Sequence, residues 1–136
     1  WRTYDTNRLL VSEKTRENGL KYTYLWSYGN QYPVARIEGA EYSEVTGWLG
    51  GASVGLPNTL TRPSDVESRL TSIRNALASK DVLVTTYTYL PQVGMTGMTD
   101  ANGKTTGYAY DNYRRLSLVK NHESKAVMQY KYNLYD

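Results

Sequence analysis

The chain has 136 residues, with hydrophobic content of 40%, a formal net charge of +3 and no cysteine. These values exclude disulfides and thiolate metal sites, and so small a charge is no nucleic-acid signature by itself. A mean hydropathy of −0.62 and the absence of a long apolar run argue against a membrane-spanning helix.

The aromatic balance is unusual. Phe is absent, Tyr appears 14 times and Trp three times. Tyrosine suits strands, where the ring packs on a pleated surface and the hydroxyl reaches water. The chain opens on Trp1 with no basic-then-apolar leader, so the expectation is that upstream sequence was removed.

In chain order, Tyr4-Asp5 leads into the apolar run Leu9-Leu10-Val11, then Asn18-Gly19, then Tyr22-Thr23-Tyr24. Asn-Gly pairs adopt positive φ readily, as a type I′ hairpin turn requires, which predicts a hairpin of 8–14 with 20–28. Between Glu41 and Leu49 the residues Tyr42, Val45, Trp48 and Leu49 recur at helical spacing, and Gly50-Gly51 is expected to end that helix. Gly50–Pro63 reads as a loop. Ser64-Asp65-Val66-Glu67 has the form of a capping box with Ser64 as N-cap. Val66, Leu70, Ile73 and Leu77 then make one apolar stripe, predicting a helix over 65–79.

Beyond the helices, Tyr87-Thr88-Tyr89, Tyr108-Ala109-Tyr110 and Tyr130-Lys131-Tyr132 repeat at intervals of 21 and 22 residues. Met95 and Met98 stand before Asp100 as Leu116 and Val119 stand before Asn121. Asn102-Gly103 predicts a second type I′ hairpin, of 94–99 with 104–110, and Asn121–Ser124 turns a third, of 115–120 with 126–132. The fold class expected is α+β, mainly β: antiparallel hairpins forming a twisted sheet, with a two-helix insertion packed on it. The whole chain reads as a single domain, with repeats in 1–24 and 87–136 and the insertion in 25–86.

Tyr110-Asp111-Asn112-Tyr113-Arg114-Arg115-Leu116 resembles the YD repeat, Tyr-Asp-x-x-Gly-Arg-Leu, with Arg114 in the glycine place. Tyr4-Asp5-Thr6-Asn7-Arg8-Leu9 resembles it with the glycine deleted. The chain as a whole is similar to the C-terminal repeat region of exported Rhs/YD-repeat proteins of Bacteroides-like bacteria. That resemblance implies a secreted or outer-membrane-associated surface location and a sheet that contributes to a shell or scaffold. It also implies partners that are further repeats of the same polypeptide, or another copy, joined through strand edges. Because Arg114 is not glycine, its turn is expected to take another form. Tyr4, Asp5, Asn18, Gly19, Asn102, Gly103, Tyr110, Asp111, Arg115 and Leu116 are the repeat and turn residues.

No catalytic constellation emerges. Ser117-Leu118-Val119-Lys120 spells a nucleophile motif, but on a strand its ends face opposite ways. His122 is the one histidine and sits in a polar turn. Asp100-Ala101-Asn102-Gly103 begins like a calcium loop yet lacks the later ligands. Asp65 and Glu67 are explained by helix capping rather than by glycoside hydrolysis. The expectation is a non-catalytic structural module with no cofactor, no metal and no nucleic-acid partner. The alternative is a carbohydrate-binding surface module, in which Trp26, Trp48, Tyr108, Tyr110, Tyr130 and Tyr132 are exposed and stack on sugars of cell-surface glycans. Tyr-x-Tyr pairs on adjacent strands would form a ladder, most simply the face that packs the sheet against the helices.

Overall fold

The computed structural model describes residues 2–6, 8–14, 19–121, 123 and 126–129. Its strands are β1 (Arg2–Tyr4), β2 (Leu10–Lys14), β3 (Lys21–Ser27), β4 (Tyr32–Glu38), β5 (Leu83–Leu90), β6 (Gly94–Thr99), β7 (Thr105–Tyr110), β8 (Leu116–Lys120) and β9 (Ala126–Gln129). Its helices, α1 (Tyr42–Gly51) and α2 (Pro63–Leu77), fall between β4 and β5. The architecture is mainly β, antiparallel, with two helices. The chain divides into two compact units, Trp1–Thr86 and Tyr87–Asp136, so the boundary falls inside β5.

In the first unit the strands follow one another in sequence order, each antiparallel to the last. Burial along β3 alternates: Thr23, Leu25 and Ser27 are buried, while Tyr22, Tyr24 and Trp26 are half-buried. This is the period of two that one covered face imposes on a strand. Register places Ile37 beside Thr23, Ala35 beside Leu25, and Val84 and Thr86 beside Ile37 and Ala35, all on that covered face. The helices supply the other half of the core. Val45 and Leu49 of α1, and Val66, Leu70, Ile73 and Leu77 of α2, are buried, which is the apolar stripe expected from sequence. At roughly 25 cal/mol per Å² of apolar surface removed from water, this layer holds the unit together.

Polar bonds fasten the helical segment to the same face. The Thr23 hydroxyl donates to the Ala40 carbonyl at 2.9 Å, Ser27 to the Pro57 carbonyl at 2.6 Å, and Arg74 Nη2 to Thr86 Oγ1 at 3.1 Å. The loop after α1 is anchored as well. The Gly29 amide donates to the Leu60 carbonyl and the Asn30 amide to the Asn58 carbonyl. Among the described residues no buried side-chain nitrogen or oxygen lacks a partner.

Several boundaries differ from those expected. Helix α2 starts at Pro63, with Arg62 as N-cap, and Ser64 lies inside the first turn rather than capping it. Proline is suited to the first helical position, since its φ is preset and the amide it lacks would have no intrahelical partner there. Helix α1 runs through Gly50 and Gly51 and stops at Ala52, followed by Ser53 at φ 58°. Strand β4 was not foreseen. A bulge between Leu25 and Trp26 in the β3–β4 pair puts Val34 and Ala35 both in buried positions, which breaks the alternation that marks a strand in sequence.

The second unit contains the C-terminal half of β5 and then β6–β9, again antiparallel in sequence order. Its expected hairpin of 94–99 with 104–110 corresponds to the β6–β7 pair, and that of 115–120 with 126–132 to the β8–β9 pair over its described part, which ends at Gln129. It differs in one respect that matters. No described apolar side chain from Tyr87 onward is buried; the described buried hydrophobic residues all belong to the first unit.

Candidate functional site

Three turns share one geometry. In each, an aspartate at the strand end accepts the amide of the third following residue on its carbonyl, and its own amide donates to the carbonyl of the fourth. Arg8 donates to Asp5 and Asp5 to Leu9 at 3.0 and 2.9 Å. Gly103 donates to Asp100 and Asp100 to Lys104 at 3.0 and 2.9 Å. Arg114 donates to Asp111 and Asp111 to Arg115 at 3.0 and 2.8 Å. The aspartate side chain reinforces the turn. Oδ1 accepts the amide of Leu9 in the first, of Asn102 and Lys104 in the second, and of Tyr113 and Arg115 in the third. The third following residue is left-handed every time: Arg8 at 63°, Gly103 at 80° and Arg114 at 62°.

At Asp100 and Asp111 this is a type I turn followed by a left-handed residue, the three-residue hairpin with a G1-type bulge, and the Asp5 turn shares its backbone bonds and left-handed residue. Three expectations are corrected. Asn102-Gly103 is not a type I′ turn, because only Gly103 has positive φ. Arg114 does not give its turn another form; it adopts the conformation glycine takes in the Asp100 turn. No glycine is deleted after Tyr4-Asp5: Arg8 occupies the left-handed place and Leu9 corresponds to Arg115. The register shifts at Thr3/Tyr4 and Ala109/Tyr110 also match, with Tyr4 opposite Leu10 and Tyr110 opposite Leu116. With Oδ1 of Asp100 held by two amides, the calcium-loop resemblance is accounted for by hairpin chemistry. Gly19 has φ 67°, while Asn18 lies outside the described residues.

The third turn carries an added charge pair. Arg115 Nε donates to Asp111 Oδ2 at 3.0 Å, and its guanidinium lies 5.2 Å from the centre of the Tyr113 ring. Desolvation pushes the Asp111 carboxyl upward, but the Arg115 and Tyr113 amides and the Arg115 charge outweigh it and hold the carboxyl below its ordinary value.

The described Tyr-x-Tyr pairs lie on β3, β5 and β7, alternate strands of the sheet, and so do not form a ladder on adjacent strands. Tyr22 stands between Glu13 and Glu38, and Tyr24 stands opposite Arg36. The Arg36 guanidinium covers the Tyr22 ring at 4.4 Å, and the Tyr24 hydroxyl donates to Glu13 Oε2 at 3.1 Å. Burial first, then the Glu13 carboxylate, raises the Tyr24 hydroxyl above its ordinary pKa. Nor is this the helix-covered face: alternation from Thr23, Leu25 and Ser27 turns Tyr22, Tyr24 and Trp26 away from α1 and α2. In the second unit, Tyr108 pairs with Val119, and the Tyr110 hydroxyl donates to the Met95 carbonyl at 2.7 Å. The Tyr110 ring fills the space over Gly94, where a β-carbon would collide with its hydroxyl. Burial, then Tyr108, raises the Tyr110 pKa.

The two tryptophans are half-buried rather than exposed. Trp26 Nε1 donates to the Leu10 carbonyl at 2.9 Å, and Lys80 Nζ lies 5.4 Å from the centre of the Trp48 ring. Tyr130, Tyr132 and His122 lie outside the described residues. Ser117 donates to the Ala109 carbonyl from within β8, and Asp65 pairs with Arg62 at 4.0 Å in the first turn of α2. Neither is gathered into a catalytic group. Among the described residues, no three His, Cys, Asp or Glu side chains converge as a metal site.

A feature the sequence pattern did not indicate lies at the edge of the first unit. Thr3, Ser12, Glu13, Lys14, Glu41, Tyr42 and Ser43 line a cleft of about 510 Å³. Thr3 and Ser12 are cross-strand partners, and Ser12 shares the covered face with Thr23. Glu41–Ser43 come from the start of α1, so only the hairpin and the helix together bring these hydroxyls into one place.

Comparison with known proteins finds no match to this chain among family models, curated proteins or solved structures.

Proposed function

We propose that this chain is a non-catalytic β-repeat structural module of a larger secreted or cell-surface protein, contributing to a shell or scaffold. The observation that carries the reading is the second unit's want of a buried core among its described residues, in a sheet where the turn at Asp100 recurs at Asp111. A single-layer sheet gains little from the hydrophobic effect until something covers it, and repeat architectures obtain that cover from neighbouring units. Further repeats of the same polypeptide, or another copy, would supply it. The test is hydrogen exchange with light scattering over a concentration series. The reading expects amide protection in β6–β8 to rise together with mass. Full protection in a dilute monomer would oppose it.

A second reading, a carbohydrate-binding surface, is supported by Tyr22, Tyr24 and Trp26 sharing the sheet face away from the helices, with Arg36 and Glu13 among them. Aromatic rings flanked by charged hydrogen-bonding groups suit stacking and hydroxyl recognition. Glycan binding unaffected by Tyr24→Ala and Trp26→Ala would remove that face from consideration.

A further inference from the structure

The cleft between β1, β2 and the start of α1 has the size of a small-ligand pocket, about 510 Å³ against a usual span of roughly 300–1,000 Å³. Its chemistry narrows what it can take. Hydroxyl-bearing residues line both walls: Thr3 and Ser12 on the strands, with Ser12 Oγ donating to the Tyr22 carbonyl at 3.4 Å, and Tyr42 and Ser43 on the helix. Burial, then Asp5, raises the Tyr42 hydroxyl above its ordinary pKa, so it stays protonated and can donate.

The carboxylates that line the cleft, Glu13 and Glu41, each have a cationic neighbour. Lys21 Nζ lies 3.7 Å from both Glu41 and Glu44 carboxylates. Glu44 accepts the Glu41 amide at 3.3 Å, one arm of a capping box that ties this carboxylate to the helix start. The Glu13 carboxylate is directed to the opposite sheet face, where Tyr24 and Arg2 engage it at 3.1 and 3.5 Å. An anion at the head of α1 would face two carboxylates, and a cation would compete with Lys21 and meet Lys14 in the wall. What remains favourable is an uncharged molecule rich in hydroxyls. Such a molecule can donate to Glu41 and exchange hydrogen bonds with the serine, threonine and tyrosine hydroxyls.

We propose that this cleft binds a neutral polyhydroxylated ring, a pyranose residue, between Thr3 and Ser12 on one side and Glu41, Tyr42 and Ser43 on the other. The proposal rests on the carbohydrate reading for its ligand class, but not on the aromatic sheet face.

The test is an NMR titration of the isotope-labelled full chain with the methyl glycosides of glucose, galactose, mannose and N-acetylglucosamine. Ethylammonium chloride and sodium phosphate serve as charged controls. The expected result is saturable, millimolar binding of at least one glycoside that shifts the amides of Ser12, Glu41, Tyr42 and Ser43. Ser12→Ala and Ser43→Ala should each weaken it by a few-fold to about tenfold, the effect of one lost hydrogen bond. The spectrum itself reports that each variant is folded. Saturable shifts confined to Tyr22, Tyr24 and Trp26 would overturn the cleft while upholding the sheet face. Absence of saturable shifts with every glycoside would overturn both, and a stronger response to ethylammonium or phosphate at the cleft amides would overturn the neutral ligand.

Discussion

Arg114 follows Asp111 by three residues and is held in the left-handed region, φ 62°, by donating its amide to the Asp111 carbonyl at 3.0 Å. Arg8 stands in the same relation to Asp5 at φ 63°. A side chain in this conformation costs about 1–2 kcal/mol, whereas glycine adopts it freely at an unfolded-state entropy cost of roughly 0.5–1 kcal/mol. Arg114→Gly and Arg8→Gly are therefore expected to stabilise their turns by about 0.5–1 kcal/mol each. Gly103→Ala, in the turn that already has the favoured residue, should destabilise by about 1 kcal/mol. Urea denaturation of the three variants checks the opposite signs.

Asp111 links the third turn to pH. Its carboxyl lies below its ordinary value in the folded chain, so the folded state binds its proton less readily than the unfolded state does. The stabilisation is present above the unfolded pKa and is lost as pH falls through the lowered folded pKa. Asp111→Asn keeps an oxygen for the turn amides but has no charge to lose. The variant should show a shallower loss of stability over the acid range than the parent, with both measured by denaturation at stepped pH.

Gly94 and Tyr110 are a coupled pair, because the ring of one occupies the space a side chain on the other would need. Gly94→Ala should cost about 1–3 kcal/mol by overpacking and by displacing the Tyr110 hydroxyl from the Met95 carbonyl. In a Tyr110→Ala background the same change should cost at least about 0.5 kcal/mol less. A double-mutant cycle with additive costs would contradict the contact.

Core substitutions should separate the two units. Ile73 is fully buried, so Ile73→Ala is expected to cost about 2–5 kcal/mol. Val119 is only half-buried, and Val119→Ala should cost about 1 kcal/mol or less, as incompletely buried sites do. Thermal melts of the two variants provide the comparison.

What was legible in the sequence depended on local signals. The stripe Val66, Leu70, Ile73, Leu77 located α2 because helical spacing and burial coincide there. The strong pull of Ser64 and Glu67 toward a capping box placed the start late, since Pro63 acts through backbone geometry and not through a side-chain bond. Asn102-Gly103 suggested the wrong turn because the aspartate two residues earlier, not the asparagine, organises the backbone. The tyrosine repeat was visible, but the expected ladder needed adjacent strands. The described pairs lie on β3, β5 and β7, which are not adjacent; the neighbours of β3 carry Glu13 and Arg36, and β8 sets Val119 and Leu116 opposite the β7 pair. The cleft had no sequence signature, because Thr3, Ser12 and Ser43 are ordinary polar residues until the hairpin and helix bring them together. At both places where the sequence resembles the YD repeat, Asp5 and Asp111, the turns share their backbone hydrogen bonds and a left-handed third residue.

The most direct measurement of the central claim is native-state hydrogen exchange on the dilute chain, comparing two antiparallel pairs. Thr23 and Ile37 lie beneath the helices of the first unit, whereas Tyr108 and Val119 belong to the second, none of whose described apolar side chains is buried. If the second unit depends on neighbouring repeats or copies, the amides of Tyr108 and Val119 will exchange through openings of much lower free energy than those of Thr23 and Ile37. Equal, global-level protection of both pairs in a monomer would contradict the account.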